Sequence, residues 1–161
     1  MLSLLVFTGP WALCQFSLRE IIVVMNSIVQ QIKRSVARQS SNVVLRKDML
    51  HFGSSARVDL ALSQMVNAGS LYRLGRGVYA KTRKTASGNI VPRASLWTLS
   101  REALSKLGVE YEVHPLILEW EASQTDQIPM RLIVKTDKRV SRKMSVGQIQ
   151  IEYASNFQSS G

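Results

Sequence analysis

Ten basic or polar side chains between residues 46 and 81 have the chemistry that DNA recognition requires. Arginine pairs through two hydrogen bonds with guanine, glutamine pairs in the same way with adenine, and serine or lysine donates to bases or phosphates. The candidate contacts to double-stranded DNA are Arg46, Lys47, Ser54, Ser55, Arg57, Ser63, Gln64, Arg73, Arg76 and Lys81. A solvated surface contains the same residue types, so the interpretation depends on the elements that position these side chains.

The net charge of the chain, +10, lies entirely in residues 1–93. This segment contains thirteen Lys and Arg against Glu20, Asp48 and Asp59, whereas eight bases and eight acids cancel in residues 94–161. A strongly basic segment attracts polyanions such as nucleic acid or an anionic membrane surface. The charge distribution therefore predicts that the first segment meets the partner, although a basic surface without a specific ligand has the same composition.

Apolar residues at helical spacing predict a first helix that begins near Met25 and ends near Gln39. The residues of this stripe are Ile28, Ile32 and Val36, with Val29 beside them. After a polar break, residues 43–45 are predicted to be extended. A second helix of one or two turns follows and ends at Gly53.

The third predicted helix is the best-defined element of the sequence. Ser54 or Ser55 caps its start and Gly69 ends it. Its buried face consists of Val58, Ala61, Leu62, Met65 and Val66. The opposite face carries short polar and forked side chains and one apolar residue, Leu60, which is placed to contact a thymine methyl, a neighbouring domain or a partner.

A short basic hairpin follows this helix. Residues 71–74 and 78–80 are predicted strands, and the glycines of the 75–77 turn permit a positive φ and present Arg76 at the tip. Alternation divides the first strand into two faces, and either face can be the buried one. A cationic cluster follows the return strand and consists of Lys81, Arg83 and Lys84. A helix and a basic hairpin in this order predict a winged helix-turn-helix domain over residues 26–84, with phosphate or minor-groove contacts made by the hairpin.

The second half, residues 92–155, is predicted to form a small mixed α+β domain. Apolar residues at helical spacing indicate a helix between Leu96 and Leu107 that Gly108 ends. Alternating apolar and polar residues predict half-buried strands over residues 110–113, 118–121, 130–135 and 148–153. The predicted fold class of the chain is therefore α+β, a winged helix-turn-helix followed by this domain.

The N-terminal segment carries no charge before Arg19. Its 18 residues are the minimum length for a membrane span, and Gly9, Pro10 and Gln15 interrupt them. An export signal would have a basic start, which is missing here. We expect residues 1–24 to be a non-native or disordered extension before a start at Met25. A membrane or export role and an additional core segment are the alternatives.

The sequence contains no arrangement typical of an active site or metal centre. Cys14 is the only cysteine, and His51 and His114 lie in different halves, so a zinc site has no ligand set. The glutamate pairs 110/112 and 119/121 fit the solvent face of a strand. We therefore expect no enzymatic activity, no cofactor and no metal ion, and the single cysteine fits a reducing cytoplasm.

The run from Phe52 to Tyr79, above all GSSARVDLALSQMV and AGSLYRLGRGVYA, resembles the winged-helix region of the AbiEi-like antitoxins of bacterial type IV toxin-antitoxin systems. Residues 127–154 resemble the strand-rich C-terminal part of these proteins, in which a proline-led strand ending in Thr-Asp precedes a basic hairpin. The two stretches cover most of the chain after Met25. Family members usually carry a polar residue where Leu60 stands and a basic one where Tyr72 stands.

This resemblance implies a cytoplasmic antitoxin that represses its own operon through the winged helix. The implied partners are double-stranded operator DNA and a nucleotidyltransferase-type toxin, which is counteracted functionally if not physically, with no small-molecule substrate. The alternative is a membrane-associated or protein-binding module that residues 1–18 anchor, with the basic half facing anionic lipid.

Overall fold

The computed structural model describes residues 18–123 and 131–154. In this part of the chain, five α-helices and eight strands form a mixed α+β fold, which confirms the α+β part of the predicted class. The elements in chain order are α1 (Leu18–Arg38), β1 (Val43–Leu45), α2 (Arg46–Met49), α3 (Ser55–Asn67), β2 (Leu71–Gly75), β3 (Val78–Lys84), β4 (Ile90–Pro92), α4 (Leu96–Leu107), β5 (Tyr111–Val113), α5 (Pro115–Ser123), β6 (Arg131–Thr136), β7 (Ser145–Val146) and β8 (Ile149–Ala154). A single 3-10 turn, Leu50–Phe52, follows α2.

Helix α1 is amphipathic, as predicted, but it begins at Leu18 rather than near Met25. Its buried side chains are Ile28, Val29, Ile32 and Val36. Leu18, Ile22 and Val23 are exposed, so packing of these side chains does not cause the extension. The residues from Leu18 to Met25 include no Gly or Pro that would stop the helix, and hydrogen bonding therefore continues toward the N-terminus. Residues 1–17 of the predicted N-terminal extension lie outside the described residues.

Helix α3 matches its prediction closely. Four of the five residues of the predicted face are buried, and Val66 is half-buried. At its C-terminus, Ser70 N donates to Met65 O and Gly69 N donates to Val66 O, both at 2.9 Å. Gly69 has φ +70°, so this pair of bonds forms the glycine-dependent C-cap that the sequence indicates.

The first sheet has the strand order β1-β3-β2, and β4 pairs with the far end of β3; all these pairs are antiparallel. Strand β3 runs on to Lys84, so the predicted cationic cluster lies within this strand rather than after it. Both faces of the sheet are buried. One face packs on α1 and α3 through Val44, Leu71 and Tyr79. The opposite face is covered by the second half of the chain, and its buried residues are Val43, Leu45, Leu74, Val78 and Ala80.

The second half contains a four-stranded sheet of order β5-β6-β8-β7, in which β6 and β8 are parallel. Helix α4 has Ser95 as its N-cap, with Thr98 N donating to Ser95 Oγ at 3.2 Å, and Gly108 at φ +66° ends it. The strand predicted over 118–121 is wrong, because Pro115–Ser123 is helix α5. Proline favours the first position of a helix, and the His114 carbonyl accepts the Ile117 N–H at 2.9 Å to close the first turn.

One apolar cluster joins the two halves. It includes Leu45 and Leu74 of the first sheet and Leu104, Leu132 and Ile151 of the second half. Residues 26–84 and 92–155, which the sequence divides into two domains, thus share a core. We call this cluster the shared core.

Polar contacts reinforce the junction between α4 and β1. Glu102 Oε2 accepts hydrogen bonds from Asn42 N at 2.8 Å and Val43 N at 3.1 Å. Lys106 Nζ donates to Val43 O at 2.6 Å. The start of β1 is therefore held to α4 by both of its backbone polar groups.

Candidate nucleic-acid interface

The outer face of α3 presents polar side chains to solvent. Because the apolar stripe faces the core, the residues between its members must point outward. The exposed residues of the helix are Ser55, Ala56, Arg57, Leu60, Ser63, Gln64 and Asn67. Arg57 forms no hydrogen bond or ion pair with the described residues, so its guanidinium is available to a ligand. Ser54 is exposed at the N-cap, where its carbonyl accepts the Val58 N–H at 3.0 Å and its side chain makes no capping bond.

The β2–β3 hairpin places two arginines beside this face. Arg73 is exposed on β2, and Arg76 is exposed at the two-residue tip that it forms with Gly77. Gly77 has φ +72°, as predicted for the turn, and its carbonyl accepts the Arg46 N–H at 2.9 Å. This bond fixes the hairpin tip to the start of α2.

An open groove of about 790 Å³ runs between α2, α3 and the hairpin. The second half reaches one side of it through the segment between β6 and β7, residues 137–144, of which Ser141 and Arg142 line the groove. The residues that line the groove are Arg46, Lys47, Asp59, Ser63, Arg73, Arg76, Gly77, Tyr79, Ser141 and Arg142. Five of the ten predicted DNA contacts are therefore brought together here, and the lining contains five cations and one acid.

The acid in the groove is neutralised by an ion pair between α2 and α3. Arg46 Nε lies 2.5 Å from Asp59 Oδ1, and Arg46 Nη2 lies 2.9 Å from Asp59 Oδ2. Arg46 Nη2 also donates to Ser55 Oγ. The hydrogen bond raises the pKa of the Arg46 guanidinium and lowers the pKa of the Asp59 carboxyl. Arg46 and Ser55, two predicted DNA contacts, thus join α2 to α3, and the free positive charge of the groove comes from its other cations.

Lys81 does not belong to this surface. Its side chain is buried, and Nζ donates to Gln39 O just after the end of α1. Burial lowers the pKa of the Lys81 ammonium, and the charges of Arg93 and Lys106 lower it further. The predicted DNA contact of Lys81 therefore does not fit its placement. Strand β3 extends through this position, and the register that pairs Lys81 with Leu71 places the side chain inside the fold.

Lys47 and two unpredicted residues complete the surface. Lys47 is exposed and lines the groove, while its Nζ donates to Lys106 O at 3.1 Å, at the C-terminus of α4. Ser141 and Arg142 line the groove from the second half and were not among the predicted contacts. The basic run from Arg139 to Lys143 is visible in the sequence, but its proximity to the hairpin is not.

Comparisons with protein families, with curated proteins and with solved structures found no match to the chain. The resemblance to AbiEi-like antitoxins therefore stays a prediction. Within residues 18–123 and 131–154, no three His, Cys, Asp or Glu side chains come together in a way that could hold a metal ion. None of the helices in these residues is long and apolar enough to cross a membrane.

Proposed function

We propose that the chain binds double-stranded DNA sequence-specifically through a winged helix-turn-helix formed by residues 26–84. One observation carries the proposal: Ser63, on the exposed polar face of α3, lines the same groove as Arg73 and Arg76 of the hairpin. Arg57 and Gln64 are exposed on the same helix outside the groove lining. The element order, in which α1, β1, α2 and α3 precede the hairpin, supports it. So does the strand order β1-β3-β2, in which the two hairpin strands pair with each other and β3 also pairs with β1.

Helix α3 is the proposed recognition helix. The major groove of B-DNA is about 12 Å wide and admits an α-helix, whose outer side chains then reach base edges. In this arrangement Arg57 pairs with a guanine and Gln64 with an adenine, while the exposed side chain of Leu60 contacts a thymine methyl group. These residues determine which sequence is preferred.

The hairpin is the proposed wing. Arg73 and Arg76 are exposed and have no acidic partner among the described residues, so their guanidinium groups can pair with phosphate oxygens in the bidentate geometry that arginine favours. Such contacts add affinity for any sequence, and they weaken as salt rises because bound counterions are released. The two elements therefore have separable effects, one on preference and one on salt dependence.

The experiment compares Arg57→Ala with Arg76→Ala on a duplex selected from a random-sequence pool. Arg57→Ala should cost about 1–3 kcal/mol on the selected duplex and leave binding to random DNA nearly intact. Arg76→Ala should weaken both and reduce the slope of log K against log salt by about 0.9. The matched control is Lys33→Ala, an exposed cation of α1 outside the groove, which should change neither preference nor affinity beyond a small long-range charge effect.

Two results would contradict this proposal. The first is a wild-type chain that binds all duplexes equally or not at all. The second is an Arg57→Ala variant that loses thermal stability without any change in sequence preference, because that arginine would then have a structural role.

We further propose that this binding represses the chain's own operon, in a cytoplasmic antitoxin that counteracts a nucleotidyltransferase-type toxin and catalyses no reaction itself. The support is the resemblance of residues 52–79 and 127–154 to AbiEi-like antitoxins. A reporter under the chain's own promoter should be repressed when the chain is supplied. We expect a nucleotidyltransferase-like gene directly downstream, and co-expression of the chain should restore growth to cells that express that gene. Unchanged toxicity would contradict the antitoxin role and leave the DNA-binding proposal standing.

A further inference from the structure

The segment between β6 and β7, residues 137–144, is held against the hairpin. A Cβ atom at Gly75 would lie 2.2 Å from the Lys143 carbonyl oxygen, a distance that no side chain tolerates. Met144, the next residue, is buried in the shared core, and its carbonyl accepts the Ile151 N–H at 3.0 Å. The approach therefore depends on glycine at position 75, and the segment cannot drift away while Met144 stays in the core.

A second contact fixes the same side of the hairpin. The Gly147 N–H donates to the Tyr72 hydroxyl at 3.4 Å, which links the β7–β8 turn to β2. Tyr72 also packs against the shared core. Lys143, Met144 and Gly147 are thus held against β2 and the shared core.

This placement brings a cation of the second half into the groove without a compensating acid. Arg142 lines the groove together with Lys47, Arg73 and Arg76, and it forms no ion pair with the described residues. The one acid of the lining is already paired with Arg46.

Acids of the second half are bound elsewhere. Glu102 accepts backbone N–H groups at the start of β1. Glu112 pairs with Lys135 at 3.1 Å, and Asp137 lies 3.5 Å from Lys138 Nζ. The second half of the chain has no net charge, but through Arg142 it adds positive charge to the groove.

We propose that residues 137–144 are a second phosphate-contacting element, in which Arg142 binds the DNA backbone that passes between α3 and the hairpin. This inference rests on the proposed function and extends it, since the interface then combines both halves of the chain. The ligand chemistry is a phosphodiester strand of duplex DNA. Arg142 presents a planar fork of donors to it, alongside the arginines of the hairpin.

The test measures the salt dependence of duplex binding for full-length variants, with circular dichroism to verify folding. Arg142→Ala should reduce the slope of log K against log salt by about 0.9, which corresponds to a roughly eightfold loss of affinity at 0.1 M salt relative to 1 M. Sequence preference should stay unchanged, because phosphate contacts carry no base information. Arg142→Lys should retain most of the slope, because it keeps the charge.

Gly75→Ala tests the placement itself. Its added methyl group displaces the Lys143 carbonyl, so this variant should reduce the slope as Arg142→Ala does, although it removes no charge. Lys135→Ala is the matched control. Lys135 belongs to the same half, pairs with Glu112 and lies outside the groove. The salt slope of this variant should equal that of the wild type. If Gly75→Ala does not fold, the Arg142→Ala and Arg142→Lys pair decides.

The outcomes separate the two proposals. If Arg76→Ala reduces the slope and Arg142→Ala does not, the second phosphate element is wrong and the DNA-binding function stands. If Lys135→Ala reduces the slope as much as Arg142→Ala, the effect is one of overall charge and the local contact is wrong. If the wild-type chain does not bind duplex DNA, the proposed function fails.

Discussion

The two sheets of this protein differ in how many of their faces are buried. In β1, the consecutive residues Val43, Val44 and Leu45 are all fully buried. In β6, Leu132 and Val134 are buried, while the residues between and after them are only half-buried. The first sheet lies between two apolar layers, and the second sheet has one apolar layer.

This difference explains how the part of the chain that carries the hairpin is connected to the rest. A strand covered on both faces needs a continuous apolar run, whereas a strand covered on one face needs alternation. The hairpin of the first sheet contributes Leu74 and Val78 to the shared core and presents Arg73 and Arg76 outward. A change in the shared core should therefore affect both halves at once.

The largest expected effect tests this connection. Leu74→Ala removes a side chain that is 2% exposed in the shared core, and it should reduce the free energy of unfolding by about 2–5 kcal/mol. Urea unfolding followed by circular dichroism and by tryptophan fluorescence should show one transition. Leu118→Ala, at a residue 51% exposed on α5, is the control and should stay within about 0.5 kcal/mol of the wild type. Two separate transitions in the wild type would contradict a core common to both halves.

A smaller effect is expected at Tyr153 of β8, whose hydroxyl is buried without a hydrogen-bond partner among the described residues. Burial raises the pKa of Tyr153 to about 12 from its ordinary value of 10.0. The folded state thus keeps the proton that the unfolded state releases, so this residue's contribution to stability is intact below pH 10 and is lost as the pH rises toward 12.

Tyr153→Phe removes both the unpartnered hydroxyl and the titration. We expect this variant to match or exceed the stability of the wild type by up to about 1 kcal/mol at pH 8, since no hydrogen bond is lost. Its advantage should grow between pH 9 and pH 11 in urea titrations. An advantage that stays constant over this range would show that the hydroxyl titrates as in solvent.

The smallest effect is expected when the chain starts at Met25. This truncation removes Leu18, Ile22 and Val23, which are exposed on α1, so the free energy of unfolding should change by less than about 0.5 kcal/mol and duplex affinity should not change. A chain starting at Gln31 is the control, because it also removes the buried residues Ile28 and Val29 and should lose much more stability. If the chain that starts at Met25 did not fold, residues 1–24 would have a structural role.

Helices with a complete apolar stripe and a glycine stop could be predicted from the sequence. Helix α3 agrees with its prediction within one residue at its start, and α4 ends at Gly108 as expected. Helix α5 was missed because residues 118–121 alternate between apolar side chains and glutamate, which is the pattern of a strand. The residues that contact the shared core are Ile117 and Trp120, which have helical spacing. The start of α1 was missed because residues 1–24 were interpreted as one extension before Met25, and the helix begins within that stretch, at Leu18.

The sequence by itself determined which side chains of α3 face outward, because the helical period divides Val58 and Leu62 from Arg57 and Gln64. The sequence also determined the hairpin turn, because glycine at position 77 permits the positive φ that this residue adopts. Only the tertiary structure decided that Arg46 pairs with Asp59, that Lys81 is buried and that Arg142 reaches the groove. Those outcomes depend on strand register and on contacts between residues far apart in the chain, which local periodicity does not encode.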